Sequence, residues 1–396
     1  MKHVLWIGFV LLIILLMRLI QVFGAETFKK DQTAKFTILL LEEPHRGKSY
    51  QRIVGFRGAR FVMYAPLYPQ FHYGDRLTIS GKIKEVRGSG YQSSYILSFP
   101  SIVSQEERIF LPLAWFRKSV VSFVENTLNN RESGLLLGIV FGIRPSFEAS
   151  FNQKLSDVGI LHIIAASGMN VSMAGGFFMG LFTLFFRRKV AVFATLLGLM
   201  LYALTSGLAP SIVRASLMGA AMYSAQLFGR QMMPLYALLM SGYLMLVVSP
   251  HLVFDIGFQL SFAATLGLLL IGPLLGGLGI LHRVGVRETI AAQLATLPIL
   301  LANFGTYSLF SIVANALILW TIPILMVLGA MSIGGIILFP LGVAVTYLTI
   351  PLLWYIQQIV EWFSMLPTFE IARFPWQMGA SYYLLLVAFF MMIKKK

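Results

Sequence analysis

Long apolar stretches dominate the chain from residue 161 onward, and their lengths suit membrane-spanning helices. A helix needs about 20 mainly apolar residues to cross a bilayer. The candidate spans in this part are 161–186, 190–206, 211–228, 233–249, 256–276, 288–304, 308–338, 341–364 and 381–393. The 308–338 stretch is longer than one span requires and contains Pro323, which predicts a break in that helix.

One further apolar stretch lies near the N-terminus. Residues 4–23 contain a single charge, Arg18, and are long enough to cross a bilayer. A signal peptide has a shorter apolar core and a small-residue cleavage site, which Gly24-Ala25-Glu26 matches poorly. We therefore expect residues 1–23 to form a retained transmembrane helix, with a cleaved signal peptide as the alternative. The whole pattern predicts a polytopic α-helical membrane protein with about ten transmembrane helices.

Residues 35–107 have a different pattern, with short strand-like runs separated by turn residues. The runs are Phe36–Leu41, Arg52–Phe56, Phe61–Tyr64, Arg76–Ile83 and Tyr95–Val103. Five short strands in about 70 residues are typical of a small closed barrel of the OB type. A small β-sandwich is the alternative, because the number of strands does not separate the two folds.

Residues 108–160 lie between these regions and predict amphipathic or interfacial helices. The 111–128 stretch has an apolar and a polar side at helical spacing, so we expect a helix on the membrane surface. The apolar run 134–143 is too short to span a bilayer and predicts a re-entrant or interfacial segment. A second short amphipathic helix is predicted to end at Gly159.

The composition agrees with a membrane protein and excludes an ordinary soluble enzyme. Hydrophobic residues make up 57% of the 396 residues and charged residues 12%, whereas about a quarter of a soluble protein is charged. The net charge is +15, and 32 of the 47 charged residues lie in the first 160 residues. This positive excess predicts an anionic partner, either membrane lipid or a polyanion.

The distribution of Lys and Arg between the predicted loops indicates the orientation. With the N-terminus in the cytoplasm, the loops predicted inside contain Arg187, Arg188, Lys189, Arg230, His282, Arg283, Arg287 and Lys394–Lys396. The predicted outside loops near 207–210, 250–255 and 305–308 contain no Lys or Arg. Because positively charged loops stay in the cytoplasm, we expect both termini inside and the β-barrel outside.

The segment 45–60 of the strand-rich region is basic and aromatic. It contains His45, Arg46, Lys48, Arg52, Arg57 and Arg60 without an acid. Tyr50 and Phe56 lie between them, and Phe61 and Tyr64 follow directly. Grooves for single-stranded nucleic acid combine cations for the phosphates with flat rings for the bases. A solvated basic face beside anionic lipid explains the same residues equally well. Arg46, Lys48, Arg52, Arg57 and Arg60 are the candidate nucleic-acid contacts.

Polar side chains recur within the predicted spans. Arg214 is the one charge in its span, and a cation in a membrane usually faces a cavity or a partner, although this one lies near enough to Pro210 to reach the outer surface instead. The other candidates are His162, Ser167, Asn170, Gln259, Ser261, Gln293 and Asn303. A hydrogen bond to a neighbouring helix explains any single one of them. Together they favour a wet, neutral-to-positive lining that suits a polyanion. Apart from Glu288, which begins the 288–304 span, Glu361 is the one acid in a predicted span, and we expect it to pair with a basic residue of another helix.

Motifs for catalysis are missing from the sequence. The six histidines are scattered, the four acids after residue 160 lie far apart, and the chain contains no cysteine. Gly47-Lys48-Ser49 imitates the end of a phosphate-binding loop, but Glu42 stands where the first glycine belongs. We therefore expect no metal centre, no cofactor and no enzymatic activity.

Four motifs resemble those of a known family, the ComEC-type competence proteins. They are LHIIAASGMNV (Leu161–Val171), PSIVRA (Pro210–Ala215), GFQLSF (Gly257–Phe262) and AQLATLP (Ala292–Pro298). The resemblance extends over about residues 130–370, and residues 35–107 are similar to the OB-type extracytoplasmic domain of the family. Asn170 stands where the family often has histidine. The chain has no cysteine for a barrel disulfide and no histidine-rich motif of the metallo-β-lactamase-like domain, as expected for a short form.

The resemblance implies a channel in the bacterial plasma membrane that passes single-stranded DNA into the cytoplasm during natural transformation. Residues 161–396 would form the channel domain, with the polar candidates along the DNA path and the basic barrel residues binding DNA. The implied partners are single-stranded DNA, membrane lipids, and a separate DNA receptor, nuclease and cytoplasmic DNA motor.

Two alternative functions remain open at this point. A small-molecule or lipid-precursor transporter would show an inverted repeat with paired acids or broken helices at the midplane. A membrane-anchored DNA-binding protein without transport activity would have featureless spans.

Overall fold

The computed structural model describes most of the chain. The described residues are 11–20, 31–40, 44–46, 50–56, 60–69, 71, 75–87, 94–106, 111–143, 147–164, 167–275, 286–304, 306–308, 310–334, 339–367, 369–370 and 375–394. The chain divides into two compact units, Met1–Ser119 with Met240–Asp255, and Val120–Leu239 with Ile256–Lys396.

The first unit contains a small mixed sheet. Its described strands are β1 (Thr33–Leu40), β2 (His45–Arg46), β3 (Gln51–Phe56), β4 (Arg60–Ala65), β5 (Arg76–Arg87), β6 (Ser94–Ser98) and β7 (Ser101–Glu106). β1 pairs with β3, β3 with β4, β4 in parallel with β6, and β6 with β5. Because β5 also pairs with β1, these five strands close into a ring, to which β2 and β7 are added.

Alternation along the strands explains the core of this sheet. Phe36, Ile38 and Leu40 on β1 are buried, whereas Lys35 and Thr37, which alternate with them, are exposed. Matching alternate residues on β4, β5 and β6 belong to the same apolar cluster. The run predicted as one strand at 95–103 is divided into β6 and β7 at Phe99, whose φ of 49° turns the chain.

The described helices are far more numerous than the strands and make up most of the second unit. They are α1 (Leu11–Ile20), α2 (Leu111–Thr127), α3 (Asn130–Phe141), α4 (Ala149–Val158), α5 (Leu161–Ile164), α6 (Gly168–Phe185), α7 (Arg188–Thr205), α8 (Pro210–Leu227), α9 (Pro234–Val248), α10 (Ile256–Leu270), α11 (Val286–Phe304), α12 (Ser311–Leu319), α13 (Thr321–Gly334), α14 (Phe339–Tyr347), α15 (Ile350–Phe363) and α16 (Trp376–Lys394). Two short 3₁₀ helices, Pro250–Phe254 and Gly272–Leu275, flank α10. Thr306–Tyr307 (β8) pairs with Phe369–Glu370 (β9).

Several of these helices are suited to a bilayer. Among the described residues, α6, α7 and the stretch Pro340–Phe363 are each long and apolar enough to cross a membrane. The pair α12 and α13, bent by 44°, makes a fourth if it forms one span. α1, α9 and α10 are apolar but shorter. The length and apolar composition of these helices therefore indicate a membrane protein. The number of about ten spans stays a prediction.

The break predicted for the 308–338 stretch is confirmed. α12 ends at Leu319 and α13 begins at Thr321, so the break precedes Pro323. A proline ring clashes with the carbonyl four residues earlier in a helix, which here belongs to Leu319. The proline itself is accommodated in the first turn of α13, where its missing N–H costs no hydrogen bond.

The segment between the sheet and α5 contains three helices, and the middle one is buried. Every residue of α3 from Ser133 to Val140 is buried, so this helix packs against protein on all sides. α4 ends at Gly159, as the sequence predicts. How α2, α3 and α4 lie relative to a membrane stays a prediction.

In the first unit, α1 is attached to another helix by its one charged residue. Arg18 donates from Nε to the carbonyl of Val247 at 2.7 Å and from Nη2 to that of Val248 at 3.4 Å. These carbonyls end α9, where helix geometry leaves them without partners and favours a cation. Retention of the first helix stays a prediction.

Candidate functional site

Helix α3 ends inside the second unit, and its last carbonyls all find partners. Gly142, in the left-handed region at φ 64°, lets the backbone satisfy the carbonyls of Leu137 and Gly138. The three carbonyls that follow are bonded by side chains of α6, of α7 and of the residue after α7. Asn170 Nδ2 donates to Ile139 at 2.7 Å, Tyr202 to Val140 at 3.1 Å, and Ser206 to Phe141 at 2.6 Å. We call Asn170, Tyr202 and Ser206 the α3 cap.

The N-terminus of α6 is fixed to the same cap. Ser167 is the N-cap residue of α6 and accepts a hydrogen bond from the backbone N–H of Asn170. Its hydroxyl also donates to Asn170 Oδ1 at 3.0 Å. Asn170 is fully buried, so its amide connects α6 to α3. A place for Asn170 along a DNA path stays a prediction.

Arg214, on α8, is buried in the second unit with neutral neighbours. It is 6% exposed, so its guanidinium lies inside the protein rather than at its surface. Nε donates to the hydroxyl of Ser261 at 2.7 Å, and Nη1 lies 3.3 Å from the sulfur of Met218. Among the described residues, no carboxylate lies within 4 Å of this guanidinium.

Three of the four motif segments meet at this guanidinium. Ser261 belongs to the third segment, as does Phe262, whose ring centroid lies 6.0 Å from the guanidinium carbon. Gly168 of the first segment lies so close that a Cβ there would be 2.7 Å from Arg214 Nη2. We call Gly168, Arg214 and Ser261 the arginine cluster.

The fourth segment contributes to a different contact. Gln293 Nε2 donates to the hydroxyl of Ser311 on α12 at 2.9 Å. Asn303 is exposed near the end of α11 and donates to the carbonyl of Ile299 in its own helix. Gln259 is partly buried on α10. His162 lies on α5, and its side chain is outside the described part of the structure. Their placement along a DNA path stays a prediction.

Glu361, an acid in the predicted 341–364 span, forms ion pairs, which confirms the expectation for this residue. Lys154 of α4 donates to Glu361 Oε2, and Arg131 of α3 lies 3.6 Å from Oε1. Arg131 also pairs with Glu148 at 3.2 Å and lies over the ring of Phe151. The network joins α3, α4 and α15, and its charges compensate each other.

Among the predicted barrel contacts, Arg52 is described most fully. It is partly exposed on β3, opposite Tyr64 of β4. Tyr64 packs edge-on against Tyr50 at 5.3 Å, so two accessible rings lie beside this cation. Lys48 and Arg57 lie outside the described residues, and for Arg46 and Arg60 the positions in β2 and β4 alone are described. Phe61 is completely buried in the sheet core and is therefore unavailable for stacking.

Sequence reasoning missed two members of the α3 cap and both cations of the ion-pair network. Tyr202 and Ser206 lie one turn apart at the end of an apolar stretch, a signal that also fits an interfacial anchor. Arg131 and Lys154 are ordinary charges in a charged segment. The role of each residue depends on its contact with a helix that is distant in sequence. Within the described residues, no group of three His, Asp or Glu side chains is placed to hold a metal ion.

Comparisons with known proteins agree with the motif resemblance. The family model described as Competence protein matches residues 139–396. The ComE operon protein 3 of Bacillus subtilis (strain 168) is 29% identical over 247 residues, which are 60% of this chain and 31% of the relative. The chain thus matches about a third of the length of that curated relative. No solved structure matches significantly. Because the family match covers well over half of the residues and contains all four motifs, the protein belongs to the ComEC-type Competence protein family.

Proposed function

We propose that the protein is a channel of the bacterial plasma membrane that passes single-stranded DNA into the cytoplasm during natural transformation. The observation that carries this proposal is the arginine cluster. A guanidinium that is 6% exposed, with a hydroxyl and a thioether as neighbours, is costly unless an anion or water reaches it. The DNA backbone would supply such an anion at each nucleotide as it moves past.

The alternatives fit these observations less well. A small-molecule or lipid-precursor transporter would show paired acids or broken helices at its midplane. The bent pair α12 and α13 is compatible with that alternative. The two acids in predicted spans are not free for a substrate, because Glu288 pairs with Arg287, and Glu361 pairs with Arg131 and Lys154. A membrane anchor without transport activity does not explain why three motif segments meet at a buried cation. A channel for a polyanion accounts both for the absence of free acids in the predicted spans and for the buried cation.

The sheet of the first unit is proposed to be an OB-type barrel. Its five principal strands, numbered in chain order, would follow the ring 1-2-3-5-4, with one parallel pairing between the third and the fifth. Closure through β5 and β1 favours a barrel over two stacked sheets. The basic edge around Arg52, with Tyr50 and Tyr64, would then bind DNA before it enters the channel.

The proposed orientation follows from the charged loops. The connection between α6 and α7 carries Arg187 and that between α8 and α9 carries Arg230, which favours the cytoplasm for both. With about ten spans, both termini would lie inside and the barrel outside. The protein would have no enzymatic activity and would depend on a separate DNA receptor, nuclease and cytoplasmic motor. Membrane lipids would surround it.

The experiment that tests the channel is uptake of labelled DNA by a deletion strain that carries plasmid copies of the gene. Arg214→Gln keeps a polar side chain of similar size but removes the charge, and we expect DNA entry to fall about 10- to 100-fold. Arg214→Lys should give an intermediate value, because the charge remains and the planar fork is lost. Arg230→Gln is the matched control, since Arg230 is exposed beyond the other end of α8.

Membrane insertion of each variant is measured in parallel by fractionation and immunoblotting. Normal DNA entry with normally inserted Arg214→Gln would contradict the proposal. Equal losses in Arg214→Gln and Arg230→Gln would also contradict it, because the effect would then reflect net charge rather than the arginine cluster.

A further inference from the structure

We propose that the arginine cluster is a discrete binding site for one phosphate group, and that a phosphodiester of the DNA backbone is its ligand. The proposed function describes a path for DNA, whereas this inference assigns one specific anion site on it. It rests on the proposed function for the identity of the ligand. The site itself follows from the hydrogen bonds, the helix ends and the close approach at Gly168.

The guanidinium of Arg214 has unused donors. Arginine carries five N–H groups in a planar fork. One is taken by the Ser261 hydroxyl, and another points to the Met218 thioether, which is a weak acceptor. Among the described residues, no hydrogen-bond acceptor of Nη2 is found. The guanidinium therefore has spare N–H groups that a ligand can use.

One residue of the arginine cluster lies at the start of a helix, and the other two lie in the second turns of their helices. Gly168 is the first residue of α6, Arg214 the fifth of α8, and Ser261 the sixth of α10. The N-terminal end of α6 carries a partial positive charge, and anions bind at such ends. The guanidinium beside this end adds charge of the same sign. An anion is therefore the group that would complete this arrangement.

The contact at Gly168 places the guanidinium at the beginning of α6. A Cβ on residue 168 would lie 2.7 Å from Nη2, so any other residue would push the arginine away from the helix backbone. In the first turn of α6, the Ser167 hydroxyl accepts from the N–H of Asn170. The N–H groups of Gly168 and Met169 belong to the same first turn, where a helix supplies no intrahelical acceptor for them.

A phosphate group fits these donors better than chloride does. The fork of a guanidinium matches two oxygens of a phosphate, and a helix N-terminus adds backbone N–H groups to a third. The Ser261 oxygen accepts from Nε, which leaves its own O–H to donate to the ligand. Because Arg214 lies inside the protein, a phosphodiester that enters between the helices is favoured over the headgroup of a surrounding lipid.

The site is tested by ligand protection of the full-length protein purified in a neutral detergent. Thermal unfolding is followed with potassium phosphate, with thymidylyl-thymidine, which contains one phosphodiester, with thymidine, and with potassium chloride at matched ionic strength. We expect phosphate and the dinucleotide to raise the unfolding temperature with a saturating dependence. Thymidine and chloride should leave it unchanged.

Two variants assign the binding to the arginine cluster. Arg214→Gln should weaken the affinity for phosphate about 10- to 100-fold, as expected for a hydrogen bond to a charged group. Ser261→Ala removes one neutral hydrogen-bond donor, and the change in side-chain size is too small to prevent folding. It should weaken the affinity for phosphate about 2- to 10-fold. Arg230→Gln should bind phosphate as the native protein does.

Three results would overturn the proposal. Chloride and phosphate could protect equally, or Arg214→Gln and Ser261→Ala could both retain the native affinity. Micelles containing phosphatidylglycerol could protect through Arg214 while the dinucleotide does not, which would make a lipid the ligand. Since this assay needs no DNA transport, phosphate binding combined with normal uptake by Arg214→Gln would contradict the proposed channel and leave the site standing.

Discussion

Replacement of Asn170 by alanine should destabilise the protein through the end of α3. The Asn170 amide is fully buried and donates to the Ile139 carbonyl at 2.7 Å, while its oxygen accepts from Ser167. Backbone donors reach the carbonyls of Leu137 and Gly138, but the Ile139 carbonyl has the Asn170 amide as its partner. Alanine leaves that buried carbonyl without a donor.

The expected cost follows from two magnitudes. A buried acceptor that loses its donor costs about 1–3 kcal/mol. Hydrogen bonds between helices of membrane proteins average about 0.6 kcal/mol and reach about 1.7 kcal/mol. The missing side-chain atoms add a small cavity in a site without solvent. We therefore expect Asn170→Ala to lower the free energy of unfolding by about 1–2 kcal/mol.

Two further variants make this test specific. Asn170→Asp has the same shape but places a negative charge against a carbonyl at the negative end of α3, so it should be more destabilising than alanine. Asn303→Ala is the matched control. That asparagine is exposed and donates within its own helix, so its loss should change stability by less than about 0.5 kcal/mol.

The assay is reversible unfolding of the purified protein in mixed micelles with increasing sodium dodecyl sulfate, followed by tryptophan fluorescence. The free energy of unfolding of each variant is compared with that of the native protein under the same conditions. Equal stability of Asn170→Ala and Asn303→Ala would refute the role of the α3 cap. An aspartate variant that is more stable than the alanine variant would refute the electrostatic part of the argument.

Three other predictions concern the first unit. Gln51 is fully buried and its amide donates to the carbonyls of Pro66 and Pro69 at 2.6 and 2.7 Å, so Gln51→Ala should destabilise the sheet by about 1–3 kcal/mol, measured by its faster proteolysis. Joint replacement of Arg52, Arg57 and Arg60 by glutamine should reduce the slope of log K against log salt for single-stranded DNA by about 2, and an unchanged slope would move the DNA contacts elsewhere. A periplasmic reporter inserted after Lys84 should be active and a cytoplasmic reporter there silent, and the reverse pattern would refute the proposed orientation.

The sequence by itself determined much of the architecture. Short strand-like runs separated by turn residues predicted the strands. A half-buried strand alternates between apolar and polar residues, and this alternation is visible in the sequence. Apolar stretches predicted the helices for a similar reason, and Pro323 predicted the break before α13. Four motifs were sufficient to identify the family. Glu361 was expected to find a basic partner because an isolated acid in an apolar helix needs one.

The tertiary structure decided which polar residues act together. The sequence marked Arg214 as the one charge in its span and Asn170 as one of several neutral polar residues, but it did not give the partner of either. Packing places Asn170 against the end of α3, and it places Arg214 against Ser261 of α10 and the start of α6. Tyr202 and Ser206 became part of the α3 cap only because α7 passes that end. Local sequence determines helices through their own hydrogen bonds and apolar faces, whereas these contacts join residues dozens of positions apart and depend on how the helices pack.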